Sequence, residues 1–179
     1  MLGAPVIVTA PVTPAIPLNE LKAFVRVDGD AFDVELQAYL DGAVAEVEAM
    51  TATRLAEQLV SVSADIFADL AHLQVGPVNA VTGISYEDST STVQTLSTDV
   101  YELFGSGLDS GIRLKTGQSW PVARSVGSPI SVTLNVGYAD DKTPLPTQIR
   151  LAVLMSARAR FDGIAADIFP MTVNDRIWM

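Results

Sequence analysis

The chain has no cysteine and a single histidine among its 179 residues. The first absence excludes disulfides and cysteine-ligated metal sites. The second leaves His72, in "LAHLQV", as the sole imidazole. A Ser–His–Asp system needs a nucleophile presented on a sharp turn beside its base. No G-x-S-x-G occurs, so His72 reads as a structural or surface residue. Basic residues are also scarce: 11 Lys and Arg stand against 21 Asp and Glu, a net charge of −10, and no Lys/Arg cluster appears. Proteins that grip nucleic acid use such clusters to replace counterions at the phosphates. Their absence argues against tight DNA binding, while an acidic surface past which DNA slides remains allowed. Apolar runs break well short of the roughly 18 residues of a membrane span. The opening "MLGAPVIVTAPVTPAIP" lacks the basic and long apolar regions of a signal peptide.

What is present suits one domain. Hydrophobic residues make up 49% and charged residues 18%, enough for a sizeable core. Prolines 5, 11, 14 and 17 predict an extended arm over residues 1–17. In "LNELKAFVRVDGD", Asn19 is a candidate N-cap and Leu18 a staple. Leu21, Phe24 and Val25 form one helical face, and Asp28-Gly29 ends it. A helix of ~24 residues, ~36 Å long, follows from Asp30 as N-cap. Phe32, Leu36, Tyr39, Ala43, Val47 and Met50 recur along it, and Gly42 within it predicts close packing. From 58 to 138 the period becomes alternating: "LVSVSADIF", two strands around Gly76-Pro77, two in "TVQTLSTDVYELF", then "IRLKTGQSWP" and "ISVTLNVGY". Residues 146–163 predict a last helix ended by Gly163, with Ile149, Ala152, Val153, Ala157 and Arg160 on one face. The expected fold class is α+β: a helical bundle built from 18–56 and 146–163, with a small antiparallel β lobe (58–138) inserted and a tail over 164–179.

Several patterns fail as chemistry. In "DGDAFDVE", Asp28, Asp30 and Asp33 do not keep the register of a calcium loop, and helix capping accounts for two of them. "ADD" (139–141) reads as an acidic loop. "GSGLDSG" (105–111) lacks the following Lys-Ser/Thr and helix of a phosphate cradle and reads as a hairpin loop. No catalytic, cofactor or metal site is expected. Arg158 and Asp162 are spaced to pair at i, i+4. Trp120 reads as the anchor of the β lobe, its ring on the sheet face and Pro121 stopping the strand. The apolar tail is poorly solvated if left free. Phe169, Ile177 and Trp178 are its candidate docking residues.

Taken in order, "LNELKAFVRVD", a long acidic helix ending "TATRL", "PVNAVTGISYED", "VYEL", "SWP", "SVTLNVGYAD" and "LPTQIRLAVLMSARARF" resemble the tailed-phage head–tail connector (adaptor) proteins. The likeness is to the branch with a β insertion shared with gene transfer agents, over about 18–163. The chain departs from that pattern at "DGDAFD", where the family often has a compact acidic pair, and at "RARFDG". The resemblance implies a non-enzymatic virion component, made in the bacterial cytoplasm and placed at the head–tail interface. It implies a ring of copies, usually dodecameric, beneath the portal protein. That ring would extend the DNA channel, meet the next tail or stopper protein and let DNA pass without tight binding, with no membrane involved. Glu35, Glu46 and Glu48 of the long helix are then expected to face the lumen. The alternative is a carbohydrate- or receptor-binding β module using Tyr86, Tyr101 and Trp120. A hydrolase with paired carboxylates stands third.

Overall fold

The computed structural model describes residues 1–139 and 143–177. In chain order these form β1 (Val6–Thr9), α1 (Leu18–Val25), α2 (Asp33–Thr51), β2 (Gln58–Ala64), a 3-10 turn (Phe67–Ala71), β3 (Val78–Glu87), β4 (Val93–Thr95), β5 (Tyr101–Ser106), β6 (Asp109–Leu114), β7 (Ile130–Val136), α3 (Thr147–Phe161) and α4 (Phe169–Thr172). The protein is a mixed α and β structure with an antiparallel sheet, β1-β2-β7-β3-β4, and a separate β5-β6 hairpin.

Alternation builds the sheet. In β2 the side chains of Val60, Val62 and Ala64 point inward, and in β7 those of Ile130, Val132, Leu134 and Val136, all at most 3% exposed. The opposite face carries Ser61, Ser131, Thr133 and Asn135, with the Ser61 and Ser131 hydroxyls 3.0 Å apart. The apolar face is covered by the 3-10 turn (Phe67, Leu70), by Leu73, Val75 and Leu96, and by Tyr101 and Ile112 of the hairpin. The hairpin is held to the turn region by Leu73 N–H donating to the Ser110 carbonyl at 2.9 Å. Where "GSGLDSG" predicts a loop, pairing of Ser106 with Asp109 reduces it to a two-residue turn. Of the two strands expected around Gly76-Pro77, only the second, β3, forms.

A second core belongs to the helices. Leu21 of α1, Leu36, Leu40, Ala43 and Val47 of α2, and Ile149, Ala152, Val153 and Ala157 of α3 share it with Ile16, Leu55, Tyr138 and Ile168. The helix limits differ from expectation for local reasons. Pro17 holds the extended cap position of α1, which leaves Asn19 inside the first turn. Arg26 turns left-handed (φ 61°), with Val27 N–H bonded to the Lys22 carbonyl at 3.0 Å, so the helix ends ahead of Asp28-Gly29. α2 begins at Asp33, whose carboxylate takes Lys22 Nζ at 2.5 Å, and Asp30 supplies no side-chain cap. Its 19 residues span about 28 Å. The buried stripe is Leu36, Leu40, Ala43, Val47 and Thr51. Phe32, expected on it, is 45% exposed and packs edge-on to Phe161, ring centres 6.0 Å apart.

The two cores meet where α2 gives way to β2. Arg54 N–H donates to the Gly76 carbonyl at 2.8 Å and Gly137 N–H to the Pro77 carbonyl at 2.9 Å. Gly137 has φ 110°, and a Cβ there would collide with the Ala56 carbonyl, so only glycine lets β7 leave the sheet this close to the crossover. The proline-rich arm is not separate from this body. β1 lies along β2, with Val6 opposite Ser61 and Ile7 opposite Val60, and Ile16 is 1% exposed in the helical core.

Candidate functional site

The seam between α2 and α3 shows how the acidic helix uses its charge. Glu46 accepts from the Ser156 hydroxyl at 2.5 Å and from Arg160 Nη1 at 3.2 Å, and Arg160 also reaches the Ser156 hydroxyl. Glu48 accepts from Leu55 N–H at 2.8 Å and Arg54 Nη1 at 3.2 Å, closing the turn after α2. Two of the three carboxylates expected on a channel wall therefore hold their own chain together. Glu35 is exposed and accepts from the Tyr39 hydroxyl at 2.9 Å, a bond that raises the Tyr39 phenol above its ordinary value. The sequence carried a signal for this seam: Ser156 and Arg160, one turn apart, interrupt the apolar face of the last helix.

The arginines are paired in the same way. Arg150 meets Glu20 at 2.7 Å and ties α3 to α1. Arg158 meets Asp162 at 3.2 Å, the pair its spacing predicts. Arg113 meets Glu102 at 2.8 Å and Arg124 meets Glu87 at 3.0 Å. Much of the basic charge is thus answered within the chain, and the acidic excess remains for the surface.

In the β lobe, Trp120 stacks on Phe67 with ring centres 4.8 Å apart and planes 3° from parallel. Tyr86 meets Phe67 edge-on at 5.7 Å. Pro121 does not stop a strand, because β6 already ends at Leu114 and a turn closes with Gln118 N–H on the Lys115 carbonyl at 3.1 Å. Tyr101 is 5% exposed, and burial pushes its phenol up. The three aromatics do not make an exposed platform. His72 is half-exposed, with Nδ1 3.7 Å from Asp109 Oδ1 on the hairpin. Among the described residues no group of three or more His, Asp or Glu is placed to hold a metal ion, and no helix is long and apolar enough to cross a membrane. Asp140 and Asp141 of the "ADD" loop lie outside the described residues.

The tail folds back on its own chain. Ile168 is 1% and Ile177 4% exposed, and Ile177 N–H donates to the Thr51 carbonyl at the end of α2 at 2.8 Å. Ile177, expected among the docking residues, is therefore already buried. Phe169, at 48% exposed, is open to a partner. Trp178 lies outside the described residues. A cavity of about 700 Å³ separates the arm from the body, lined among others by Val12, Pro14, Leu55, Gln58, Tyr138 and Arg150. Burial, with a smaller push from Asp175, raises the Tyr138 phenol to about 12.

No protein-family model matches the chain, and no curated protein matches it. Solved structures do. A chain in the neck of the empty gene transfer agent (GTA) particle, computed with C6 symmetry, matches with a TM-score of 0.78 at 20% identity, over 100% of this chain and 96% of that one. A chain in the virion of the native GTA particle matches with a TM-score of 0.72 at 21% identity, over 97% of both. One in the native GTA neck, computed with C12 symmetry, matches with a TM-score of 0.70 at 21% identity, also over 97% of both. Helices, sheet, hairpin and tail are matched together rather than one lobe alone. The chain has the fold of a component of the gene transfer agent neck, consistent with the head–tail connector family that its motifs resemble.

Proposed function

We propose that this chain is a structural virion component, a head–tail connector that forms a ring beneath the portal, extends the DNA channel and joins capsid to tail. The observation that carries the reading is the chain-long likeness to the neck structures, with TM-scores of 0.70 to 0.78. The physical chemistry agrees. A ring joins two different faces of each copy in closed cyclic symmetry. Copies of net charge −10 repel DNA phosphates and let DNA pass. Of the three lumen candidates, Glu35 is the exposed one, bonded to Tyr39 one turn along the same helix, while Glu46 and Glu48 are part-buried in their ion pairs. Trp120 acts through Phe67 as the anchor of the β lobe. The role is non-enzymatic. A ligand-binding β lobe is disfavoured by Tyr101, which is buried, and by Tyr86 and Trp120, both engaged on Phe67.

The test is to mix the full chain with its portal and image the product by cryo-EM. A ring of copies on the portal is expected. Deleting 164–179 is a poor variant, because it strips Ile168 and Ile177 from the chain's own core. Phe169→Asp is the informative one: a ring lost at unchanged melting temperature places Phe169 at the portal contact, and an intact ring removes it from that contact. Trp120→Ala is expected to lower the melting temperature of the free chain. If it leaves melting unchanged and abolishes the ring, the anchor reading fails. No binding to the portal under any condition overturns the connector reading.

A further inference from the structure

The sheet is open at both ends. β1 is the last strand on one side and β4 on the other, and all residues of both are exposed. Val6, Ile7 and Val8 are 54–65% exposed and Val93 is 68%. Exposed edge strands of soluble monomers are blunted by lysine, proline or inward-pointing charge, since unpaired N–H and C=O groups invite another strand. Neither "VIVT" nor "VQT" carries a charge or a proline; what blunts them is their length of four and three residues, with Pro5 before β1 and a register shift between its Ile7 and Thr9. β1 has the composition of an interior strand and β4 is polar but uncharged, on a chain whose net charge is −10. Two copies approaching through their acidic surfaces repel each other, whereas the side chains of these two edges are themselves uncharged, the carboxylate beside β4, Asp88, being held by Gln94.

Direction decides which edges meet. Four antiparallel pairings separate β1 from β4, so the two strands run the same way. A rotation by a twelfth of a turn, as in the C12 neck of similar fold, nearly preserves strand direction. Where such a rotation sets β4 of one copy beside β1 of the next, the two strands run parallel. A two-fold axis would instead place β1 against β1, antiparallel, and close a dimer. We propose that the β1 edge of each copy takes the β4 edge of its neighbour as a parallel strand pair, making the sheet continuous around the ring. The proposal rests on the connector reading and adds to it the identity of the two mating edges.

The absence of native cysteine makes the test clean. Full-length chains carrying Val6→Cys with Val93→Cys, Ile7→Cys with Gln94→Cys, or Val8→Cys with Thr95→Cys are assembled alone and on the portal, then mildly oxidised. Residues on neighbouring paired strands form a disulfide where the register brings their Cβ atoms to about 3.5–4.5 Å, and the three pairs sample that register along the edge. A ladder of covalent oligomers from at least one double variant, with each single variant remaining monomeric, is the expected result. A covalent dimer from Ile7→Cys alone means β1–β1 pairing and overturns the proposal. Rings seen by microscopy with no ladder from any pair overturn it while leaving the connector reading intact. No oligomer under any condition overturns both. Ile7→Lys supplies the second check: Ile7 is more than half exposed, so monomer melting is expected to hold while ring formation is lost, and rings that persist count against the edge.

Discussion

Asp88 shows how one exposed carboxylate organises a neighbourhood. Its Oδ1 accepts from Thr90 N–H at 2.8 Å, the Thr90 hydroxyl at 2.6 Å and Thr92 N–H at 3.1 Å, and its Oδ2 accepts from Gln94 Nε2 at 3.0 Å. These bonds, the Thr90 hydroxyl first and Gln94 next, lower its pKa to about 2, against ~3.9 for a free aspartate. A depressed carboxylate stabilises the fold above the free value and loses that contribution as pH falls through the depressed one. The Thr90 and Thr92 amide resonances are therefore expected to titrate with a midpoint near pH 2, and a midpoint near 4 would mean that the network does not hold the ion. This carboxylate sets the β3–β4 turn and so the position of the β4 edge. Little of this was legible from the string "EDSTSTVQ": the local Asp-x-Thr pattern signals a turn, but the reach of Gln94 back to Asp88 depends on the strand pairing.

At the scale of the element, the helices and central strands were largely readable and their ends were not. Period fixed the faces of α2 and α3, because burying one stripe dominates the free energy of an amphipathic helix. The starts of α1 and α2 went astray: Pro17 already holds the cap position expected at Asn19, and α2 begins at Asp33, with no side-chain cap from the expected Asp30. The expected close approach at Gly42 is also absent. A Cβ there would lie 3.6 Å from Arg160 Nε, an ordinary contact. Gly42→Ala should then stabilise the chain by about 0.5–1 kcal/mol through helix propensity alone, measured by urea unfolding. A loss of stability would mean that the Arg160–Glu46 seam is tighter than these distances imply. The acidic positions were the least legible of all. Glu46 and Glu48 look like a solvated face in sequence, and only the arrival of α3 and of the β2 approach supplies Ser156, Arg160 and Arg54 as their partners.

For the whole molecule, charge is the governing quantity. The internal pairs leave net charge unchanged, so a ring of such copies accumulates like charge that salt screens, with a Debye length of about 10 Å at 0.1 M and about 3 Å at 1 M. Ring formation through uncharged edges should strengthen as salt rises from about 0.05 to 0.5 M, followed by light scattering or mass photometry. Weakening over that range would mean that ion pairs carry the contact. The order helix, sheet, helix was visible from period alone. The return of the arm to β2 was not, since proline spacing reports an extended chain without saying what it lies against.

The bond from Ile177 to the end of α2 has a mechanical consequence. The same carbonyl terminus is braced by Thr51 and Thr53, whose buried hydroxyls lie 2.6 Å apart, with Thr51 donating to Val47. The tail is thus fastened to the joint between the two cores. A partner that draws the tail outward must break that fastening and expose Ile177, at a cost of roughly 1.5–3 kcal/mol for the side chain alone. Such a pull reaches the joint itself, so load applied at the tail is felt where the helices meet the sheet.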